Sequence, residues 1–353
     1  WRESACVSTR GNNSVMVEEE KARGTLSALL HPNLAFIVVV ALVVRIGAVI
    51  PIHAAGYMSD ERQYISMAHR LLDGAGFVSD NGERSTIAPL YIGALAVVFK
   101  VFGGSLAFPH VLGCLMGVGI VLLGYSLCAQ MFDNQRVALV AAGTMAFFPS
   151  LVIYSGLLVT ETMYTLFMLG AFVAAFRMTD KIGVGTGILL GVASALAALT
   201  RAVFLGFFPV LVFIIWWMRR QQGRKGVKHL AVAVVAWALV LLPWTLRNYA
   251  VHGSFVPVST GGGKVLLTGN NPFAPRTWHA KGFEEWVKEK AVERGIKDLS
   301  ALPETQLHSL YKGIALNFIT SHPFDAMRLA LQKAHIFWVY PVAHSDSAIG
   351  EQA

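Results

Sequence analysis

Apolar runs of about 20 residues recur along the chain, and no other feature restricts its fold so much. Coiled as an α-helix, a run of that length matches the roughly 30 Å hydrocarbon core of a bilayer. Inside lipid each backbone N–H and C=O must be satisfied within its own segment, so continuous runs of this kind fold as membrane-crossing helices. Composition agrees: 55% of the 353 residues are hydrophobic and only 14% are charged, against roughly 25% charged in soluble domains. The expected fold class is an all-α integral membrane protein.

The net charge of +8 does not mark a nucleic-acid partner. The positive residues cluster in short loops between apolar runs, as membrane insertion requires. Cys6, Cys114 and Cys128 form no framework; two lie in apolar runs and none makes a metal-ligand pair. Residues 1–32 are polar, carry Glu18-Glu19-Glu20, lack an apolar signal core and read as a cytoplasmic tail.

The first span covers about 33–50 and is ended by Pro51; Arg45 lies near enough to its end to snorkel. A polar stretch follows. Within it Ser59–Leu72 reads as a helix. Ser59 suits a cap, Asp60 and Glu61 suit the positive end of the dipole, and Tyr64, Met67, Ala68 and Leu71 share a face. The next run, Pro89–Phe102, is about 14 residues and short for a crossing. Counted as a span, it would put the loop 219–228, with five basic residues and no acid, outside. Read as interfacial or re-entrant, it puts that loop in the cytoplasm with the loops near 133–136 and 177–181, which the positive-inside rule favours.

The outer loop is then 52–105, and spans follow at about 106–130, 137–157, 162–178, 184–200, 203–218 and 229–246. The transmembrane core is 33–247 and residues 248–323 form an extracytoplasmic segment. An eighth, weaker span at 324–341 carries Arg328, Lys333 and His335, and 342–353 is a C-terminal tail.

This topology gathers Asp60, Glu61, Glu161, Arg201 and Arg247 at the outer face, although none of the five enters the choice of orientation. Charges beside apolar helices at one membrane surface fit a reaction centre for a substrate with a polar head and a lipid tail. A carboxylate of Asp60-Glu61 can take a proton from an acceptor hydroxyl. A solvated helix start, or a pair with Arg62, accounts for the same residues. Tandem acids project about 100° apart on a helix, so one is expected to be catalytic and the other structural or distal to a phosphate.

Glu161, flanked by apolar runs, faces a cavity or a partner. Arg201 follows Thr200 at a span end; a mutual pair with Glu161 would make both structural. Arg247, within Pro243-Trp244-Thr245-Leu246-Arg247-Asn248-Tyr249, either grips a lipid phosphate bidentately or anchors its span at the interface. Gly261-Gly262-Gly263-Lys264 and Gly269-Asn270-Asn271-Pro272 let a backbone approach a phosphate or sugar, yet match no nucleotide loop, and plain loops explain them as well. The stretch 284–297 alternates acids and bases at helical spacing and reads as a solvated outer helix.

Taken in order, these pieces resemble the polyprenyl-phosphate-sugar-dependent glycosyltransferases of the GT-C fold. That broad family contains the lipid A aminoarabinose transferases and the dolichyl-phosphate-mannose protein mannosyltransferases. The matching residues begin with Asp60-Glu61, Tyr64 and Ala68, then Gly74-Ala75-Gly76-Phe77, Ala88-Pro89-Leu90-Tyr91 and Phe102-Gly103. They continue with Thr160-Glu161, Leu199-Thr200-Arg201, the segment 243–249 and Gly269-Asn270-Asn271-Pro272, over about residues 35–340. The pattern departs from the family at Ala88, where a second Pro or a Lys is usual, and at Pro109-His110, where an Arg is common.

The resemblance implies a GT-C type transmembrane helix core whose extracytoplasmic first loop carries interfacial helices and the catalytic Asp, matching Asp60. It implies an inverting transferase that moves a sugar from a polyprenyl phosphate to a hydroxyl of a lipid, glycan or protein acceptor, in a bacterial inner membrane. The catalytic pair would be Asp60 and Glu61, with the choice of base between them open. Arg201, Arg247, Glu161, Tyr64, Tyr91 and Asn270 would bind the donor phosphate and sugar. No cofactor is implied; a divalent ion on Asp60 and Glu61 is the less favoured alternative. Family members carry further spans or a soluble domain, which points to a partner subunit besides the donor, the acceptor and membrane lipids. A lipid-linked-sugar flippase or transporter, or a non-catalytic lipid-binding subunit, is the alternative function. The transporter would call for inverted repeats or broken midplane helices, and the sequence displays neither.

Overall fold

The computed structural model describes residues 32–339 except 55, 57–58, 181–182, 224–225, 275–279 and 281. The expected tails, 1–32 and 342–353, lie outside the described residues except Pro32, which begins the first helix. Fourteen α-helices and no strand occur among them. They open with α1 (Pro32–Ala54), α2 (Ser59–Leu72), α3 (Pro89–Phe102), α4 (Ala107–Phe132), α5 (Gln135–Phe147), α6 (Pro149–Gly156) and α7 (Thr160–Asp180). They go on with α8 (Val184–Thr200), α9 (Phe204–Gln221), α10 (Val227–His252), α11 (Gly262–Gly269), α12 (Phe283–Val292), α13 (Glu304–Ser321) and α14 (Pro323–Val339).

Helices α1, α4, α7, α9 and α10 are long and apolar enough to cross a membrane, and α5 with α6, bent by 52°, is of span-like composition as a pair. The protein is an all-α, multi-pass membrane protein. The remaining run, α8, is apolar but has only 17 residues. It is held inside protein: a Cβ on Gly191 would lie 2.3 Å from the Ala233 carbonyl of α10. Backbones approach this closely only across small residues, which drive helix association where lipid supplies no hydrophobic force. By contrast α14 carries Asp325, Arg328 and Lys333 and is not among the helices of span-like composition.

The course of α3 follows from its neighbours. With 14 residues it is about 21 Å long, shorter than the hydrocarbon core. The last turns of α1, at Val49 and Ile52, close on Gly156. His110 Nδ1, in the first turn of α4, meets the Gly156 carbonyl at 2.7 Å. So α1 ends where α4 begins, and α2 and α3 between them return to that same end of the bundle. At the other end Arg177 Nε donates to Gln130 Oε1 at 3.2 Å, and Arg219 Nη1 donates to the Met178 and Thr179 carbonyls at 2.8 and 3.1 Å. The basic loops are therefore gathered opposite α2.

Two local expectations are corrected. The helix α1 runs through Pro51 to Ala54, because a proline in a last turn removes few bonds. The run at 137–157 is two helices, broken at the extended Phe148. Pro149 has no N–H for the Met145 carbonyl, and Arg45 replaces it. Its Nη2 donates to Met145 at 3.2 Å, and its Nη1 to Ala146 and Ala41 at 3.1 Å each. Arg45 is 0% exposed, so it does not snorkel: the break offers carbonyls that lipid and water would not reach.

Outside the core, α11, α12 and α13 share a small apolar centre of Leu267, Val287, Ala291, Leu310 and Ile314. The solvated helix expected over 284–297 is α12 and shorter.

Candidate active site

The face of α2 read from the sequence is the one that packs. Met67 and Ala68 are buried against Tyr91, Ile92, Leu95 and Phe99 of α3, which fixes the first turn of α2 over the connection between α6 and α7. Glu61 is 1% exposed, and its Oε1 accepts the Leu158 N–H at 2.8 Å. Asp60, a helical step of about 100° away, is exposed. The tandem acids thus divide as helix geometry requires: Glu61 is a strut and Asp60 is open to approach.

One turn on, Tyr64 shares a hydrogen bond with the Thr160 side chain and stands edge-on to Tyr91, with centroids 5.7 Å apart at 76°. Burial, with the negative Asp60 and Glu161 nearby, pushes the Tyr64 hydroxyl up to about 12. Burial also drives Tyr91 well above its ordinary value, helped by the charge of Glu61. Both phenols are therefore neutral donors at any ordinary pH.

Glu161 begins α7 and Arg201 ends α8. Arg201 Nη1 and Glu161 Oε1 are 2.6 Å apart, with the side chains 43% and 37% exposed respectively. Thr160 Oγ1 donates to Glu161 Oε2 at 3.3 Å and lies 3.4 Å from Arg201 Nη1. Only Nη1 of the guanidinium takes part in these bonds. Tyr154 and Tyr164, which the sequence did not single out, lie within electrostatic reach of Arg201. Their signal was position: Tyr154 lies in the short helix after the break at Phe148, and Tyr164 lies three residues past Glu161 in α7. Asp60, Glu61, Tyr64, Tyr91, Glu161 and Arg201 are thus one cluster.

An apolar groove of about 770 Å³ lies between α3, α4, α8 and α10, walled by Leu90, Ala94, Val97, Leu199, Pro243 and Trp244. Leu90 leads directly to Tyr91, and Leu199 lies just before Arg201. The first turn of α3 and the last turn of α8 thus carry groove wall on one residue and polar cluster on a near neighbour in the chain.

Arg247 belongs to a different network. Nη1 donates to the Arg84 carbonyl, Ser85 Oγ and Asn248 Oδ1 at 2.9, 2.8 and 3.0 Å, and Nη2 to the Phe77 carbonyl at 3.2 Å. Its guanidinium covers the Trp244 ring at 4.7 Å. Glu304, at the start of α13, accepts the Arg84 and Ser85 N–H groups at 2.7 and 3.0 Å and the Thr260 hydroxyl. Arg247 thus buckles the loop after α2 to α10, and Glu304 ties that loop to the segment that follows α10. Asn270 lies elsewhere again, at the end of α11: its Nδ2 donates to the Leu266 carbonyl at 2.9 Å, and its Oδ1 accepts from Lys333 at 3.3 Å. The glycine run does serve close approach, but to the protein's own backbone. A Cβ at Gly261 would sit 2.5 Å from the Thr86 carbonyl, and one at Gly263 2.2 Å from that of His308. Among the described residues no three His, Cys, Asp or Glu side chains converge as a metal set.

The dolichyl-phosphate-mannose-protein mannosyltransferase family matches residues 100–256. The chain is similar to polyprenyl-phosphate-sugar glycosyltransferases of the GT-C fold. It is 27% identical over 206 residues to an undecaprenyl phosphate-alpha-4-amino-4-deoxy-L-arabinose arabinosyl transferase of Pseudomonas aeruginosa strain UCBPP-PA14, covering 56% of this chain and 38% of that one. With transferase 1 of that name from Pseudomonas fluorescens strain Pf0-1 it is 26% identical over 203 residues, 56% of this chain and 35% of the other. The chain thus spans well under half the length of these relatives. No solved structure matches. The family match takes in Glu161, Arg201 and the far wall of the groove. Asp60, Glu61, Tyr64 and Tyr91 precede it in the GT-C-like chain, and the fold brings them to it.

Proposed function

We propose that the protein is an inverting glycosyltransferase acting at the outer face of a bacterial inner membrane, with a polyprenyl-phosphate sugar as donor and a hydroxyl of a lipid, glycan or protein as acceptor. One observation carries this reading: an exposed carboxylate and a cation held by Glu161 stand in one cluster, on helix ends that also wall an apolar groove. The prenyl tail lies in the groove and the phosphate comes to Arg201. Asp60 takes the acceptor's proton as the acceptor oxygen bonds to the anomeric carbon. The bond from that carbon to the phosphate oxygen breaks on the opposite side, and polyprenyl phosphate leaves with the electron pair. Arg201 offsets the growing charge, as a preorganised cation does. Tyr64 and Tyr91, neutral throughout, bind sugar hydroxyls, and Glu61 keeps α2 in register. Arg247 shapes the loop above the groove instead of touching phosphate.

The transporter alternative gains little from the break in the 135–156 span. Arg45 fills that break, and it is the one bent pair among the described residues, so no inverted counterpart accompanies it. The test is Asp60→Asn in proteoliposomes. Lipid-linked donor should still bind, while turnover falls about 10²–10⁴-fold, the range of general-base help. Retained turnover would remove Asp60 from the mechanism, and donor translocation without transfer would favour the transporter.

A further inference from the structure

At the bundle end opposite Asp60, α9 and α10 part around a cavity of about 590 Å³ walled by Trp216, Arg219, Arg220, Lys228 and His229. Arg219 is committed to the Met178 and Thr179 carbonyls. Arg220 and Lys228 are exposed, and neither forms an ion pair among the described residues. The loop 219–228 holds no acid that could neutralise them. The Arg220 guanidinium rests over the Trp216 ring, 5.3 Å from its centroid, which holds the charge at the rim. His229 Nδ1 is buried with no hydrogen-bond partner. The start of α10 opens at the same place: Val227 and Lys228 line the cavity, while the His229 and Leu230 N–H groups donate to the Gly226 carbonyl at 3.1 and 3.3 Å. Beside the rim Phe213, Ile214 and Trp217 are 56%, 43% and 50% exposed, an apolar face that includes two aromatic rings.

We propose that this cavity binds the phosphodiester headgroup of an anionic glycerophospholipid from the leaflet opposite the Asp60 cluster. Arg220, Lys228 and the first turn of α10 meet the phosphate, and the acyl chains run down Phe213, Ile214 and Trp217. A soluble anion would use the cations and leave the apolar rim unused; a phospholipid uses both.

The test is native mass spectrometry of the full chain, delipidated in neutral detergent and titrated with dioleoyl-phosphatidylglycerol or dioleoyl-phosphatidylcholine. The wild type should retain a single phosphatidylglycerol and shed phosphatidylcholine. R220Q/K228Q should weaken that binding about thirty-fold, the effect of two cations at a charged surface, with unchanged circular dichroism. R220K/K228R, which keeps both charges, should retain most of it. R136Q removes a cation at the same bundle end outside the cavity and should change nothing. Equal retention of phosphatidylcholine, an equal loss in R136Q, displacement by excess inorganic phosphate, or tighter binding of a prenyl phosphate would each overturn the proposal.

Discussion

Replacing Arg201 by Gln separates a catalytic cation from a structural one, because the two roles predict different sizes of effect. The pair with Glu161 is short at 2.6 Å, but its side chains are 43% and 37% exposed. Solvent screens such a pair, so its loss should cost the fold less than about 1 kcal/mol. A cation that stabilises the leaving phosphate is worth far more to the reaction: deleting one preorganised donor costs about 10²–10³ in rate, or roughly 3–4 kcal/mol. R201Q should therefore unfold thermally almost as the wild type does and lose most of its kcat, with little change in KM for the donor. Glu161→Gln should cost less, since it frees Arg201 without removing it. The double variant should be no slower than R201Q alone, because Glu161 acts through Arg201. The assay is transfer from a polyprenyl-phosphate sugar in proteoliposomes, paired with melting in detergent. If R201Q turns over like the wild type, or if its activity falls only in step with its stability, the guanidinium is a strut and the phosphate is held elsewhere.

Three further outcomes follow from the geometry. Arg45→Met leaves the Met145 and Ala146 carbonyls without their donor in an apolar interior, at about 1–3 kcal/mol each; melting in detergent should fall sharply, and an unchanged midpoint would contradict the role given to Arg45. Arg247→Gln and Glu304→Gln loosen the same loop from two sides, so both should speed proteolytic nicking within residues 73–88 while R201Q does not; intact loops would remove the buckle. Tyr64 has its folded value raised to about 12 from an ordinary value near 10. Its stabilising contribution is present below pH 10 and lost as pH rises through about 12. Alkaline melting over that window should be less steep in Tyr64→Phe, and the basic limb of turnover below pH 10 should be the same in both proteins.

Much of the bundle was legible because hydropathy and charge placement report on lipid. The face of α2, the non-crossing of α3 and the gathering of Asp60, Glu161 and Arg201 all follow from apolar period and from which loops carry Lys and Arg. What was not legible depends on partners far along the chain. Hydropathy averages over Phe148-Pro149 and sees one span, where a missing N–H makes two. A lone Arg45 near a helix end has the same local signature whether it snorkels or caps a broken neighbour; only the donor-free carbonyls of Met145 and Ala146 distinguish the two. Arg247 and the glycine run were ambiguous for a related reason. A residue suited to grip a phosphate, or to let one approach, is equally suited to grip or approach a carbonyl of its own chain. The loop that Arg247 holds is long enough to supply those carbonyls.

The capped break also makes the N-terminal helix more than an anchor. Until α1 is alongside, the elbow between α5 and α6 has bare oxygens facing hydrocarbon, so the hairpin must either wait near water or stay under chaperone cover. Assembly thereby requires α1 beside α5 and α6. Another greasy helix of equal length would hold the chain in the bilayer yet leave that elbow unsatisfied.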